Sequence, residues 1–234
     1  MLLLSDRGCI YAPLHTDIMQ STKVQFIDFL LESKALLFKD FTLKSGRVSP
    51  YFFNLGLLNR GDQVSEIGRF FAETINAEFG DDFDIVFGPA YKGIPLAVST
   101  VIALYENFKI DKRYCSNRKE LKDYADKSIL LGSPLKDGDK IIMVDDVLTT
   151  GQTKIDAVNL LKSIANVEIK GLVIGLDRLE TDSEGKNAVS EFTKKTGIPV
   201  KSIITAADIF SHISDAPARM KMERYLYEYG VEKL

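Results

Sequence analysis

The chain has 234 residues, of which 45% are hydrophobic and 27% are charged, and its formal net charge is -3 at pH 7. This balance is ordinary for a globular protein and leaves room for one substantial domain. A slightly acidic chain lacks the basic field with which nucleic-acid-binding proteins attract phosphates, so general nucleic-acid binding is not expected. No segment approaches the roughly 20 consecutive apolar residues of a membrane-spanning helix, so a membrane protein is not expected either.

The positions of cysteine and histidine limit the metal chemistry. Cys9 and Cys115 lie far apart and match no metal-ligand spacing, which suits a reducing cytoplasm. His15 and His212 lie near the two ends of the chain, so neither a zinc site nor a Ser-His-Asp triad is expected in its body. The metal expected is a hard cation bound by oxygen atoms, such as Mg²⁺.

The N-terminal part is predicted to hold one helix and one strand. We expect residues 1–18 to form a loose extension, because the regular pattern begins near Ser21. Ser21 or Thr22 can cap a helix, since apolar residues recur at helical spacing after them: Val24, Ile27, Leu30 and Leu31. Residues 41–54, FTLKSGRVSPYFFN, contain a glycine and a proline that break this period, which predicts a loop and a short strand.

From residue 62 onward, predicted helices and strands alternate. Periodicity predicts helices over 62–79, 93–108, 153–165, 186–197 and from 207. Short apolar runs predict strands over 83–88, 140–146, 168–178 and 199–205, with a polar, basic stretch over 112–133. This alternation indicates an α/β fold with a parallel sheet and helices on both faces. In such sheets, ligands bind outside the carboxyl ends of the strands.

Two adjacent acids end the apolar strand in residues 141–153, IIMVDDVLTTGQT. At a strand end, Asp145 and Asp146 can both turn into one crevice, where they need a cation or hydroxyl donors such as those of a ribose. The helix that follows has a positive N-terminus suited to phosphate, Gly151 lets the backbone approach an anion, and three threonines can donate hydroxyls: Thr149, Thr150 and Thr153. The alternative is that the acids only start a turn and cap the helix.

Two further segments carry candidate anion-binding groups. Residues 87–93, FGPAYKG, predict a tight turn whose backbone amides and Lys92 form an anion-binding nest. Its alternative is a structural turn with a solvated lysine. Residues 112–127 hold six basic and three acidic side chains, which is usual for a solvated surface but also suits a polyanionic ligand.

Together these segments resemble a known family. VDDVLTTGQT resembles the phosphoribosyl-pyrophosphate (PRPP) motif of type I phosphoribosyltransferases. With TLKSGRVSPYFFN, FGPAYKGIPLA, NRKELKD and LDR, the chain resembles the orotate phosphoribosyltransferase family, in the expected order and spacing, over most of residues 23–213. The resemblance implies a Rossmann-like PRPP-binding core at 62–205. It also implies a hood subdomain with a base-binding segment at 19–61, and a C-terminal helical tail at 206–234 that packs near the hood.

The resemblance also implies an activity and partners. The expected reaction is Mg²⁺-dependent transfer of the 5-phosphoribosyl group from PRPP to orotate, giving orotidine 5′-phosphate and pyrophosphate, in pyrimidine synthesis. The expected enzyme is a cytoplasmic homodimer whose mobile basic loop closes over the active site of the neighbouring subunit. Mg²⁺ would be held mainly by PRPP and water, near Asp145.

Site residues follow from the same resemblance. The catalytic residues would be Lys122, Asp145 and Asp146. The PRPP-binding residues would be Lys44, Tyr91, Lys92, Arg118, Lys119, Lys122, Tyr124, Asp145, Asp146, Val147, Leu148, Thr149, Thr150, Gly151, Gln152 and Thr153. The orotate-binding residues would be Lys44, Phe52, Phe53, Thr149 and Arg178.

Some of these assignments have alternatives. Tyr124 stands where the family usually has histidine, and a tyrosine stays neutral near pH 7. Arg178 could instead form a salt bridge with Asp177 or Glu180, and one of Phe52 and Phe53 could simply be core.

Two other functions remain open. One is a phosphoribosyltransferase for another purine or pyrimidine base. The other is a non-enzymatic PRPP-sensing regulator, against which four intact basic residues argue: Lys44, Arg118, Lys119 and Lys122.

Overall fold

The computed structural model describes residues 15–43, 46–119, 129–182 and 184–231, with only the backbone described for residues 15–19. Over these ranges the chain forms seven α-helices and eight β-strands. None of the helices in the same ranges has the length and apolar character needed to cross a bilayer.

A six-stranded sheet forms the centre of the molecule. Its strands are β3 (Ile85–Phe87), β4 (Arg113–Asn117), β5 (Leu130–Gly132), β6 (Lys140–Val147), β7 (Glu168–Asp177) and β8 (Val200–Thr205). Their order across the sheet is β5-β4-β3-β6-β7-β8. Every neighbouring pair is parallel except β4 and β5. The predicted α/β fold with a mainly parallel sheet is therefore confirmed.

Helices cover both faces of this sheet. They are α2 (Gly61–Phe79), α3 (Gly93–Phe108), α4 (Gln152–Ile164) and α5 (Ala188–Thr196). In β6, Ile142 and Val144 belong to a core that includes α2 and α3, whereas Ile141 and Met143 belong to a core that includes α4 and α5. Because successive strand residues point to opposite faces, a strand buried on both sides reads as one continuous apolar run.

A smaller group of elements packs beside the sheet. It contains α1 (His15–Glu32), β1 (Leu36–Thr42), β2 (Val48–Phe53), α6 (Ala206–His212) and α7 (Ala216–Tyr229). β1 and β2 form a separate antiparallel hairpin, and α7 contacts β2. The expected domain boundaries after residues 61 and 205 fall at the starts of α2 and α6, and they stay a prediction.

The structure differs from the sequence predictions at the start of α1, because the helix includes residues 15–18 of the expected loose extension, and it adds strands that the sequence left unassigned. Helix α1 begins at His15, so Ser21 and Thr22 lie inside it rather than at its N-cap, and Thr22 instead donates to Glu73 of α2 over 3.1 Å. After α1 comes strand β1, most of which lies in residues 33–40, for which no element was predicted. The polar residues 112–133 contain β4 and β5, and the central residues of β4, Cys115 and Ser116, are buried although their surroundings in sequence are charged.

Candidate active site

The predicted ligand-binding segments follow four adjacent strands. β4, β3, β6 and β7 are parallel neighbours, so their carboxyl ends lie along one edge of the sheet. The basic segment follows β4, GPAYKG follows β3, the acidic pair ends β6, and Arg178 follows β7. Sequence order alone leaves these segments up to about 90 positions apart, and the sheet brings them together at the edge where ligands of α/β proteins bind.

The two acids are buried and arranged alike. One Asp145 oxygen accepts the Asp146 backbone N–H and one Asp146 oxygen accepts the Val147 backbone N–H, each over 2.8 Å. The second oxygen of each acid binds a lysine: Lys154 Nζ lies 2.5 Å from Asp145 Oδ2, and Lys92 Nζ lies 2.7 Å from Asp146 Oδ2. Each carboxylate is thus satisfied separately.

The two acids contact lysines from different elements on opposite faces of β6, and their expected convergence on one crevice stays a prediction. Asp145 shares the sheet face of Ile141 and Met143 and meets a lysine from α4. Asp146 shares the face of Ile142 and Val144 and meets the lysine that precedes α3. The strand keeps its pairing through Val147, so the alternation of side chains persists to the end of β6.

Burial sets the protonation behaviour of Asp145. Burial raises the pKa of Asp145, and the nearby Asp146 charge raises it further, whereas Lys154 lowers it through charge and a hydrogen bond. Lys154 therefore favours the ionised form of a carboxylate that burial alone would leave protonated over a wider pH range.

The turn between the acids and α4 presents polar groups to solvent. Thr149, Thr150 and Thr153 are exposed, whereas Leu148 is buried in the core and anchors the turn. Gly151 has a φ of 75°, a left-handed conformation that suits glycine, and caps α4. The exposed hydroxyls thus lie at a helix N-terminus, where anions are stabilised.

The loop after β3 closes tightly on itself. A Cβ added at Gly88 would lie 1.8 Å from the carbonyl oxygen of Gly93, so the backbone needs glycine there. The amide of Gly88 donates to Cys115, and the amide of Ala90 donates to the side chain of Asn117, both over 3.0 Å. The peptide bond between Ala90 and Tyr91 is cis.

Basic groups border this loop. The Lys92 side chain is 50% exposed, and Tyr91 is exposed with Lys119 Nζ 4.6 Å from the centre of its ring. Arg118 follows β4, and its backbone N–H donates to Ile129 over 2.8 Å. The other predicted basic-loop residues, Lys122 and Tyr124, lie outside the described residues, as does Lys44.

Phe52 and Phe53 lie on opposite faces of β2. Phe53 is buried in the core. A Cβ built on Gly175 would lie 3.2 Å from the Phe53 ring and 3.2 Å from the backbone carbonyl oxygen of Asp146, so both groups pack against this glycine. Phe52 is partly exposed and stacks on Phe41 with ring centres 4.6 Å apart. The alternative that one of the two phenylalanines is core therefore holds for Phe53, although its ring tip reaches the neighbourhood of the acidic pair.

Arg178 is held in a buried polar cluster. Its Nε and Nη2 atoms bind Glu180 Oε1 at 2.8 and 2.6 Å, Nη2 also donates to Ser49 over 3.0 Å, and the guanidinium lies 4.2 Å from the centre of the Tyr51 ring. Burial alone would lower the pKa of Arg178, but Tyr51 and Glu180 outweigh it and raise the pKa. The salt bridge with Glu180 considered from the sequence is thus present, and an orotate-binding role for Arg178 stays a prediction.

Asp177, at the carboxyl end of β7, yields a pH-dependent prediction. Burial raises the pKa of Asp177 above its ordinary value of 3.8, opposed by a hydrogen bond from the Leu179 amide and reinforced by Glu180. Because the folded state binds this proton more tightly than the unfolded state, stability falls as the pH rises above 3.8 through the folded pKa. We expect Asp177→Asn, which keeps the acceptor oxygen, to melt at a higher temperature than the parent chain at about pH 7, with the difference shrinking towards about pH 4. Thermal melts across this range measure it, and a lower melting temperature for the variant at neutral pH would contradict it.

Sequence reasoning missed two residues of this edge. Lys154 directly follows the PRPP motif, and a lysine in the first turn of a helix opposes the helix dipole, which was the available signal. Asn117 supports the loop after β3 from the end of β4, and no local pattern indicated it because the contact joins residues 27 positions apart.

Comparison with known proteins agrees with this geometry. A family model described as a phosphoribosyl transferase domain matches residues 57–206. The chain is 47% identical over 224 residues to the orotate phosphoribosyltransferase of Clostridium beijerinckii, covering 92% of this chain and 100% of that protein. It is 42% identical over 220 residues to the orotate phosphoribosyltransferase of Nitrosococcus oceani, covering 92% and 99% of the two chains.

A solved structure is similar as well. The crystal structure of the orotate phosphoribosyltransferase of Francisella tularensis matches 88% of this chain and 99% of its own, with a TM-score of 0.78 and 35% identity. A resemblance this long and this close, in sequence and in fold, covers the sheet edge that carries the acids, the loop after β3 and the basic residues. The chain therefore belongs to the orotate phosphoribosyltransferase family and is a phosphoribosyltransferase.

Proposed function

We propose that this enzyme transfers the 5-phosphoribosyl group from PRPP to orotate in an Mg²⁺-dependent reaction that gives orotidine 5′-phosphate and pyrophosphate. One observation carries the proposal: the acidic pair lies between the loop 88–93, which carries Lys92, and the turn 147–153, which has exposed threonines at the N-terminus of α4. PRPP has the matching order of groups, because its vicinal ribose hydroxyls lie between a phosphate and a pyrophosphate. Hydroxyl donors suit the acids, and the phosphates suit Lys92 on one side and the helix N-terminus on the other.

The proposed mechanism uses charge rather than a covalent intermediate. The bond from the anomeric carbon to the pyrophosphate oxygen breaks, and the sugar develops positive charge. A ring nitrogen of orotate forms the new bond on the opposite face, and its N–H proton passes to water. Asp145 and Asp146 would hold the ribose hydroxyls and oppose the developing positive charge. Lys92 would move from Asp146 to the leaving pyrophosphate, aided by the basic residues Arg118, Lys119 and Lys122. Such pre-positioned charges contribute most where water is excluded.

The described residues fit an Mg²⁺ ion held mainly by substrate. Among them, no group of three or more histidine, cysteine or acidic side chains could hold a metal. Asp145 and Asp146 lie on opposite faces and each binds a lysine, so they do not form a closed cage. Mg²⁺ commonly keeps several waters and binds substrate phosphates, and it would here neutralise charge on the pyrophosphate.

The choice of orotate rests on the base-binding segment. Phe53 lies beside Gly175 near the acidic pair, so its ring can bound one side of a flat base. Arg178 lies at the end of the neighbouring strand β7, and its planar fork would suit a carboxylate or ring oxygens once it exchanged its contacts with Glu180 and Ser49. The family membership supports the same base.

Base consumption tests the function directly. The purified protein is mixed with PRPP and Mg²⁺ and offered orotate, uracil, hypoxanthine or adenine in separate reactions, with EDTA replacing Mg²⁺ in a parallel series. We expect turnover with orotate and its loss in EDTA. Preference for another base would support the alternative phosphoribosyltransferase, and PRPP binding without turnover of any base would support the regulator.

We also propose that the enzyme is a homodimer with shared active sites. Helices α2 and α3 form an apolar groove of ≈520 Å³, and Ile102 and Tyr105 on α3 are 52% and 57% exposed. The groove includes Ile94, which directly follows the loop 88–93. A second copy of the chain bound in this groove would cover its apolar surface. The basic loop of that second copy would then lie near the active site of the first.

Subunit mixing tests the sharing of sites. Lys122→Ala removes the loop lysine, and the double change Asp145→Ala and Asp146→Ala removes the acids, so each variant alone is expected to be nearly inactive. After subunit exchange, a mixed dimer contains one intact site, and partial activity should return. Exchange proven by labelled subunits without any recovery of activity would show that each chain completes its own site.

A further inference from the structure

Lys154 is a largely covered cation beside the predicted catalytic acids. It lies in the first turn of α4, and its Nζ atom is 2.5 Å from Asp145 Oδ2. The Lys154 and Asp145 side chains are only 12% and 9% exposed. A buried ion pair loses much hydration and is weak evidence for stability in its own right. Its presence at this edge of the sheet therefore calls for a role at the site.

The position of Lys154 in α4 is unfavourable to the helix. It is the third residue of α4 after the cap Gly151, and its backbone N–H donates to the Gly151 carbonyl over 3.0 Å. Unpaired amides give a helix N-terminus partial positive charge, so a cation in the first turn is disfavoured there. Residues that break a local rule are concentrated at functional sites.

The two lysines of the acidic pair differ in exposure. Lys92 is 50% exposed and belongs to the loop after β3, so it can leave Asp146 for a phosphate at little cost in hydration. Lys154 is buried against Asp145 and can leave only by exposing a buried carboxylate. Lys92 is thus suited to exchange partners during a reaction, whereas Lys154 is suited to stay.

We propose that Lys154 is a positioning residue for ribosyl transfer, which holds the Asp145 carboxylate in the orientation that meets the ribose. The inference rests on the proposed function and extends it to a residue outside the PRPP motif. Oδ1 of Asp145 is fixed by the Asp146 amide and Oδ2 by Lys154, so both oxygens are held at once. Without the Lys154 ammonium, the Asp145 carboxylate can rotate about its bond to Cβ. A misplacement of about 1 Å near a reacting centre costs about 100-fold in rate.

Three substitutions on one helix test this role. We expect Lys154→Met to lower kcat for orotate by about 100-fold with a smaller change in the KM for PRPP, because orientation matters most in the transition state. Lys154→Arg keeps the charge, so its kcat should be at least about tenfold higher than that of Lys154→Met. Lys162→Met, at an exposed position in the last turn of α4, is the control and should leave both constants unchanged. Thermal melts establish that each variant is folded at the assay temperature.

A double-mutant cycle separates positioning from general stability. If Lys154 acts through Asp145, removing Lys154 should have no further effect once Asp145 is changed. The kcat of the double variant Asp145→Asn, Lys154→Met should therefore lie within about threefold of that of Asp145→Asn alone. The double variant removes both charges together, so it keeps the test valid if Lys154→Met alone fails to fold. Losses that multiply in the double variant would overturn the proposal. So would a folded Lys154→Met enzyme with kcat within about threefold of the parent. Absence of orotate turnover in the parent chain would instead defeat the proposed function.

Discussion

Asp146→Asn is expected to lower kcat for orotate by about 10²–10³-fold, the usual loss when one electrostatic stabiliser of a transition state is removed. Asparagine has the same shape, and its side-chain oxygen can still accept the Val147 N–H that Asp146 accepts over 2.8 Å. What disappears is the negative charge that opposes positive charge on the sugar. Steady-state kinetics with saturating PRPP and Mg²⁺ measure the effect.

The same substitution should leave the fold nearly unchanged. Lys92 loses its partner, but its side chain is 50% exposed and can be hydrated. The melting temperature is therefore expected to shift by only a few degrees, on the order of 1 kcal/mol of stability. Asp156→Asn is a matched control, because Asp156 is exposed on α4 and binds only Gln152 among the contacts described for it. A variant at Asp146 with kcat within about threefold of the parent would contradict the role of its charge.

Gly88→Ala is expected to abolish turnover by displacing the loop after β3. An added Cβ would lie 1.8 Å from the Gly93 carbonyl oxygen and 2.4 Å from its carbon, so the backbone itself must move. The shift would misplace Tyr91 and Lys92, and a displacement near 1 Å costs about 100-fold in rate. PRPP affinity, measured by calorimetry without orotate, should weaken together with kcat/KM.

Two other glycines act as controls for this prediction. Gly61→Ala, at the start of α2, places its Cβ in open space within the chain, so kcat should stay unchanged and the melting temperature should not fall. Gly68→Ala places its Cβ 2.4 Å from the Ser99 carbonyl between α2 and α3, so it should lower the melting temperature through helix packing. Full activity in a folded Gly88→Ala enzyme would show that the loop tolerates the movement and does not set the position of Lys92.

The orotate pocket marks where local pattern stops being informative. The sequence placed Phe52 and Phe53 together in one base-binding segment, but alternation along β2 sends Phe52 to Phe41 and Phe53 into the core. Arg178 was assigned to the substrate, and in the folded chain it binds Glu180 and Ser49. The partners of the Arg178 donors include Ser49, which lies 129 positions away in sequence. Hydrophobic periodicity carries no information about a contact between residues so far apart.

The sequence by itself determined the fold class and the segments that carry chemistry. The period at which apolar residues recur distinguishes a helix from a strand. The alternation of helices and strands from residue 62 therefore predicted a parallel sheet, and α3 spans the predicted residues, Gly93–Phe108. A glycine with a special backbone role was readable too, since Gly151, expected to let the backbone approach an anion, adopts a left-handed conformation at the start of α4. These features are local, so neighbouring residues suffice to determine them.

Only the tertiary structure decided the order of the strands and the partners of the charges. Strand β4 pairs with β3 because its central residues are buried there, although its sequence reads as polar and basic. Asp145 and Asp146 separate to opposite faces and acquire Lys154 and Lys92 from different elements. Burial and pairing are properties of the packed chain, because the desolvation of a charge depends on what covers it and not on its neighbours in sequence.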